Sequence, residues 1–238
     1  MIKKNLFSVL SEEYLKNNMC ICTDDLSKKI LKDVPENYSF FTDLIDFMIN
    51  LKIPYPYDRD CLISYSNDKN REFINTEFYK FLNSNNLSED NKEHFIFDNI
   101  RHAFINFKEA GVLNMYQYRE AEIWYPKIII SKYIGIKDDI DELDSEVIIY
   151  RGTSKDEFES KVFGQSWSID ENIANQFAFI HYKNQPDYRN KTRVLMQAKV
   201  LKEFIYYFKK NGRENEVIID SNNIISKSVK ILNEMVLK

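Results

Sequence analysis

The chain has 238 residues, 33 basic and 37 acidic side chains, a formal net charge of −4 and a hydrophobic fraction of 44%. This balance is typical of a folded chain of one large or two small domains, and it excludes intrinsic disorder. No apolar run reaches the roughly 20 residues that a membrane-spanning helix needs, and the N-terminus has no signal-peptide pattern. We therefore expect a cytoplasmic protein with no membrane partner.

The first 140 residues carry apolar side chains at helical spacing. Helices are predicted from Thr42 onward, over 70–82, from Ser88 to Gly111 and over 116–125. Ser88 and Gly111 have the residue types that cap helix ends. Residues 1–150 hold 26 acidic and 18 basic side chains, so this helical region is acidic. We expect it to dock a substrate or partner, or to regulate the rest of the chain.

From about residue 145 the pattern becomes strand-like. Strands are predicted over 146–150, 162–168, 192–200, 216–220 and 224–232. One helix interrupts them: Asp170 is its expected N-cap, and its apolar side includes Ala174, Phe177 and Ala178. The predicted fold class is therefore α+β, with a helical region over 1–140 and a strand-rich domain over 141–238.

Three short segments of the second region have residue types suited to chemistry. The first is Tyr150-Arg151-Gly152, at the end of an apolar strand. A guanidinium there needs an anionic partner, and it can grip a phosphate through two parallel hydrogen bonds. The glycine would let a ligand approach the backbone. The alternative is an ordinary ion pair at a strand end.

The other two segments are Ser166-Trp167-Ser168 and Glu214-Asn215-Glu216. Residues two apart on a strand point to the same face, so each segment would present a pair of like side chains. Two neighbouring carboxylates raise each other's proton affinity, and such pairs usually serve a purpose. The alternatives are a polar strand face and a solvated strand start.

Taken together, the segments resemble the ADP-ribosyltransferases of the Arg–Ser–Glu class, which include arginine-modifying bacterial toxins and phage-encoded modifiers of host proteins. The resemblance covers about residues 145–235, with the three segments in the same order and at similar spacing. It implies a β-sandwich catalytic core over 141–238, NAD as substrate, mono-ADP-ribosyl transfer and no metal. Residues 1–140 show no such resemblance.

The resemblance also implies a role for each residue. Arg151 would hold the NAD phosphates, and the backbone of Gly152 would receive the nicotinamide amide. Ser166 would orient Glu216, the catalytic glutamate, whose negative charge stabilises the positive ribosyl centre as nicotinamide leaves. Glu214 would position or deprotonate the acceptor.

Further contacts with NAD are implied for three residues: Trp167, Ser168 and Phe177. The helix after Asp170 and the loop 182–191 would form a lid over the dinucleotide. The loop 202–213 would face the acceptor.

The acceptor is left open between two classes. A Glu-x-Glu pair favours protein arginine. The segment from His181 to Arg213 instead favours an RNA or DNA base, because nine cations are interleaved there with aromatic residues. Those cations could also simply be solvated and steer anionic NAD inward.

Two further alternatives are an NAD glycohydrolase and a non-catalytic NAD-binding module. A transferase acting inside its own cell would be harmful, which suggests an antitoxin protein as partner, or a toxin, phage or anti-phage role.

Overall fold

The computed structural model describes residues 6–54, 65–87, 92–118, 124–134, 138–185, 188–210, 212 and 214–237. Contacts divide the chain into two compact units, Met1–Ile129 and Ile130–Lys238. The boundary predicted from sequence, between residues 140 and 141, lies a short way into the second unit. Among the described residues, no helix has the length and apolar character needed to cross a membrane.

The first unit is helical, as its sequence predicts. Its elements are α1 (Val9–Glu13), a π-helical turn (Tyr14–Asn18), α2 (Thr23–Asp33), α3 (Tyr38–Asn50), α4 (Tyr65–Ser84) and α5 (Lys92–Gln117). Its core is rich in aromatic side chains, among them the fully buried Phe41, Phe78, Phe97 and Phe104.

One of the predicted helix boundaries in this unit differs from the structure, because Thr42 lies inside α3, which begins at Tyr38. The predicted end at Gly111 is confirmed: Ala110 and Gly111, the latter with φ +79°, are non-helical and separate the first segment of α5 from a second one that continues to Gln117. The predicted cap Ser88 lies outside the described residues. The helix predicted over 70–82 is confirmed within α4.

The described part of the second unit contains six strands: β1 (Glu146–Ser154), β2 (Ser166–Ser168), β3 (Thr192–Leu201), β4 (Ile205–Phe208), β5 (Glu216–Ile219) and β6 (Lys230–Val236). They form one sheet in the order β4-β5-β2-β1-β3-β6, and every neighbouring pair is antiparallel. In the described part of this unit two α-helices accompany the sheet, α6 (Lys155–Ser160) and α7 (Glu171–Phe179). The chain thus combines a helical unit with a unit built on an antiparallel sheet, which is compatible with the predicted α+β class.

The strand pairing joins all six described strands in a single hydrogen-bonded sheet, and the β-sandwich expected from sequence stays a prediction. The join between β1 and β2 is narrow, since their only register pair is Tyr150 with Ser168, whereas β1 and β3 pair over the whole length of β1. The sheet therefore consists of two three-stranded halves, β4-β5-β2 and β1-β3-β6, which meet at this single register pair, called here the step.

The two faces of the sheet are covered differently. One face carries the main apolar core, which includes Val147, Ile149, Trp167, Met196 and Val217. On the other face α7 packs through Ala174 and Ala178, with Leu195 and Tyr150 against it. Because side chains alternate along a strand, the two serines flanking Trp167 in β2 lie on the α7 side.

Candidate active site

A serine and a glutamate meet on the α7 side of the sheet. In the β2–β5 ladder Ser168 lies directly opposite Glu216, and Ser166 lies opposite Ile218. Glu216 is therefore a diagonal neighbour of Ser166 on the same face, and long polar side chains can span the distance between such neighbours. The Ser166 hydroxyl donates a hydrogen bond of 2.6 Å to Glu216 Oε1. Both residues are half-buried.

Arg151 reaches the same serine from β1. Its Nη1 donates to the Ser166 carbonyl oxygen at 2.5 Å, just beyond the step where β1 and β2 separate. The three residues that the sequence singled out, Arg151, Ser166 and Glu216, are thus linked by two consecutive hydrogen bonds. They come from three different strands, so only the folded sheet brings them together.

The ion-pair partner of Arg151 was not predicted from sequence. Glu157 in α6 accepts from Arg151 Nε at 2.8 Å and from Nη2 at 3.2 Å, a bidentate pair. It also accepts from the Thr153 hydroxyl and, at 2.9 Å, from the Gly164 N–H. A sequence signal for α6 exists, because Ser154 and Glu157 have the spacing of a helix N-cap motif and the Ser154 hydroxyl does accept the Glu157 N–H.

The surroundings of Glu157 favour its charged form. Burial alone would raise its pKa, but the Arg151 charge and the hydrogen bonds from Arg151, Thr153 and Gly164 outweigh burial. The pKa of Glu157 therefore lies below its ordinary value. At neutral pH the pair is a carboxylate and a guanidinium, both mostly shielded from solvent.

Ser168 and Glu214 are connected through the backbone. The Ser168 hydroxyl donates to the Glu214 carbonyl at 2.8 Å and accepts from the Asp170 N–H at 3.0 Å. Ser168 is buried, and it holds the start of β5 beside the start of α7. Glu214 itself precedes β5, in a turn where Asn215 has φ +44°. Strand alternation, on which the same-face prediction rested, therefore does not apply between Glu214 and Glu216.

Two other predicted NAD contacts have packing roles in the structure. A Cβ on Gly152 would lie 2.2 Å from the Ala178 nitrogen and 2.3 Å from the Ala174 oxygen, so the glycine lets α7 lie against β1. Trp167 is 2% exposed, belongs to the core on the opposite face and donates to the Gly164 carbonyl. Its indole has no surface to offer a dinucleotide, which corrects the pocket role expected for it.

Helix α7 is held at both ends. Asp170 is its N-cap and accepts from the Asn172 N–H, as the sequence predicts. At the other end the buried Arg193 donates to the carbonyls of Phe177 and Ala178, and its guanidinium lies over the rings of Tyr182 and Tyr188. Phe177 is half-buried, with its ring 4.5 Å from that of His181. The described part of the loop expected to act as a lid is thus anchored to β3.

The cations between His181 and Arg213 are largely engaged within the unit. Four lysines donate hydrogen bonds within the unit: Lys199 to Glu146, Lys202 to the carbonyls of Asp141 and Leu143, Lys209 to Asp139, and Lys210 to Glu142. Tyr207 and Phe208 are buried in β4, where a loop was predicted. Arg213 lies outside the described residues. Most lysines of this segment are thus paired with groups of the same unit, which weakens the support for a nucleic-acid acceptor.

Within the described ranges, no three His, Cys, Asp or Glu side chains are grouped so that they could hold a metal ion. Comparisons with protein-family models, with curated proteins and with solved structures found no match for this chain. A function is therefore inferred from the residues of the site and their geometry.

Proposed function

We propose that the chain is an NAD-dependent mono-ADP-ribosyltransferase. The observation that carries the proposal is the hydrogen bond of 2.6 Å from the Ser166 hydroxyl to the Glu216 carboxylate. A serine that fixes a half-buried glutamate suits a carboxylate that must stay in one place during a reaction. Arg151, bound to the carbonyl of the same serine, supplies a positive group suited to phosphates.

The proposed reaction breaks the bond between the ribose C1′ and the nicotinamide nitrogen. Nicotinamide leaves with the bonding electrons, and positive charge develops on the ribose. The Glu216 carboxylate stabilises that charge, and a fixed negative group is most effective for this where little water is present. A nucleophilic nitrogen of the acceptor then bonds to C1′ and loses a proton, with Glu214 as the group that receives or directs it.

For the acceptor we favour an arginine side chain of a protein. The Glu-x-Glu sequence supports this class, and the main support for a nucleic-acid base is weaker because most of the relevant lysines are paired within the unit. Incubation with NAD labelled in its adenylate part and a cell lysate separates the alternatives. Label in protein supports the proposal. Label in RNA or DNA contradicts the proposed acceptor, and label only in free ADP-ribose contradicts transfer to any macromolecule.

Replacement of the proposed catalytic carboxylate gives the first prediction. Glu216→Gln keeps the size of the side chain and removes its charge, so NAD cleavage and transfer should both fall by about 100-fold or more. Glu234→Gln is the matched control, because Glu234 is a surface carboxylate paired with Lys155. Nicotinamide release measures cleavage. Full activity of the Glu216 variant would remove the basis of the proposal.

The second prediction separates cleavage from transfer. Glu214 lies in the turn before β5, outside the Ser166–Glu216 hydrogen bond, so Glu214→Ala should leave some NAD hydrolysis and abolish labelling of the acceptor. Its backbone carbonyl, which Ser168 binds, is kept in this variant. Parallel loss of hydrolysis and transfer would show that Glu214 does not act on the acceptor alone.

A further inference from the structure

We infer that Glu157 is the positioning residue for Arg151, holding its guanidinium in the one orientation from which it can bind the phosphates of NAD. The identity of the ligand, the phosphates of NAD, rests on the proposed function. The contacts that hold Arg151 do not depend on that function.

The first argument is the saturation of the Glu157 carboxylate. A carboxylate has about four positions at which it can accept hydrogen bonds. Glu157 uses Oε1 for Arg151 Nε and the Gly164 N–H, and Oε2 for Arg151 Nη2 and the Thr153 hydroxyl. A carboxylate with four donors has no position left for a substrate proton. Glu157 is therefore suited to hold a neighbour and not to act as an acid or base.

The second argument is the geometry imposed on Arg151. The Nε and Nη2 side of the guanidinium faces Glu157, and Nη1 faces the Ser166 carbonyl. The plane of the group is thus fixed from two directions. Gly164 leaves the room that this orientation needs, because a Cβ at this position would lie 2.5 Å from Arg151 Nη2. An arginine so confined presents its charge without the loss of rotamer freedom that a mobile one would incur on binding.

The third argument is that Glu157 connects to the rest of the site in one continuous series. Glu157 binds Arg151, Arg151 binds the Ser166 carbonyl, and the Ser166 hydroxyl binds Glu216. Breaking a shielded pair by removing one partner leaves a charge uncompensated. Displacement of Glu157 by a phosphate is therefore unfavourable, and we expect phosphate to bind while the pair stays intact.

Glu157→Gln tests the inference. In this variant an NH2 group takes the place of Oε2, and it cannot accept hydrogen bonds from Arg151 Nη2 and the Thr153 hydroxyl. Arg151 should therefore lose its fixed orientation. We expect the KM for NAD to rise about tenfold, the scale of one hydrogen bond to a charged group, with kcat within about threefold of wild type. Glu157→Asp should recover part of the affinity. Glu159→Gln, an exposed neighbour in the same helix, should leave KM unchanged. A Glu157→Gln KM within twofold of wild type, or one that falls, overturns the inference.

A second readout needs no NAD turnover. Labelling with phenylglyoxal, followed by mass spectrometry, reports how accessible each arginine is, with the exposed Arg189 as internal reference. Arg151 should react several-fold faster in Glu157→Gln than in wild type. If wild type consumes no NAD, the proposed function fails and this labelling alone decides whether Glu157 holds Arg151. Equal labelling of Arg151 in the two proteins overturns the inference in either case.

Discussion

At the scale of single residues, strand alternation and strand register together place the side chains of the candidate site. Alternation puts Ser166 and Ser168 on one face of β2, and the β2–β5 register brings Glu216 beside them. The same rule places Trp167 on the other face, in the core, so its expected role with NAD conflicted with the pattern itself. Glu157 was not predicted, because its contact with Arg151 depends on where α6 packs and not on spacing along a strand.

Gly152 gives a prediction at this scale. Gly152→Ala should push α7 away from β1, since the new Cβ would overlap backbone atoms of Ala174 and Ala178 that cannot rotate aside. We expect a loss of about 1–3 kcal/mol in the free energy of unfolding. Urea denaturation measures it. Gly212→Ala is the milder comparison, since the nearest atom to its Cβ would be the Lys209 carbonyl oxygen at 3.1 Å, a tight contact without overlap. Equal stability of the two variants would mean that α7 does not depend on the missing side chain.

At the scale of elements, the long apolar segments were predicted best. The strand predicted over 192–200 matches β3 within one residue, because its apolar and β-branched side chains are buried along most of its length. β4 was missed since it is only Ile205–Phe208 and lies between lysines, which made it resemble an exposed loop. β6 begins at Lys230, later than the predicted strand over 224–232. Most of its residues are exposed, so no buried apolar alternation marks its bounds in the sequence.

The anchoring of α7 gives a prediction at this scale. Arg193→Leu removes the donors to Phe177 and Ala178 and the cation over the two tyrosine rings. The last turn of α7 and residues 182–185 should then exchange their amide hydrogens faster, and overall stability should fall by about 1–3 kcal/mol. The exposed Arg189→Leu is the control. Unchanged exchange at Ala178 and Tyr182 in the Arg193 variant would show that β3 does not hold this end of the helix.

At the scale of the whole molecule, sequence predicted the change from helices to strands but not where the units divide. The segment after Ile129 belongs to the second unit, where both backbone groups of Ile130 bond to the side-chain amide of Gln165. A single glutamine side chain carries no periodic signal, which is why the boundary was placed later. The single-sheet pairing was likewise beyond sequence, because it depends on one register step between β1 and β2.

Stability at acid pH gives a prediction at this scale. The folded pKa of Glu157 is below its unfolded value, so the unfolded chain binds the proton more readily. The stabilisation is therefore fully present above a pH of about 4.3, the ordinary pKa of glutamate, and is lost as the pH falls through the lower folded value. Glu157→Gln lacks this contribution, so its deficit in unfolding free energy should shrink as the pH is lowered from about 6 to about 3. If the deficit stays constant over this pH range, the stabilisation by Glu157 comes from packing and not from its charge.

The narrow step between β1 and β2 has a consequence for how variants of this protein must be interpreted. Past Tyr150 and Ser168, the strands are joined across the gap by the Arg151 side chain where a longer ladder would have backbone hydrogen bonds. Arg151, the side chain proposed to bind phosphates, thus also holds the two halves of the sheet together. Selection for inactive variants will recover loosened proteins alongside chemically disabled ones, and only a melting curve taken beside each activity measurement will tell the two groups apart.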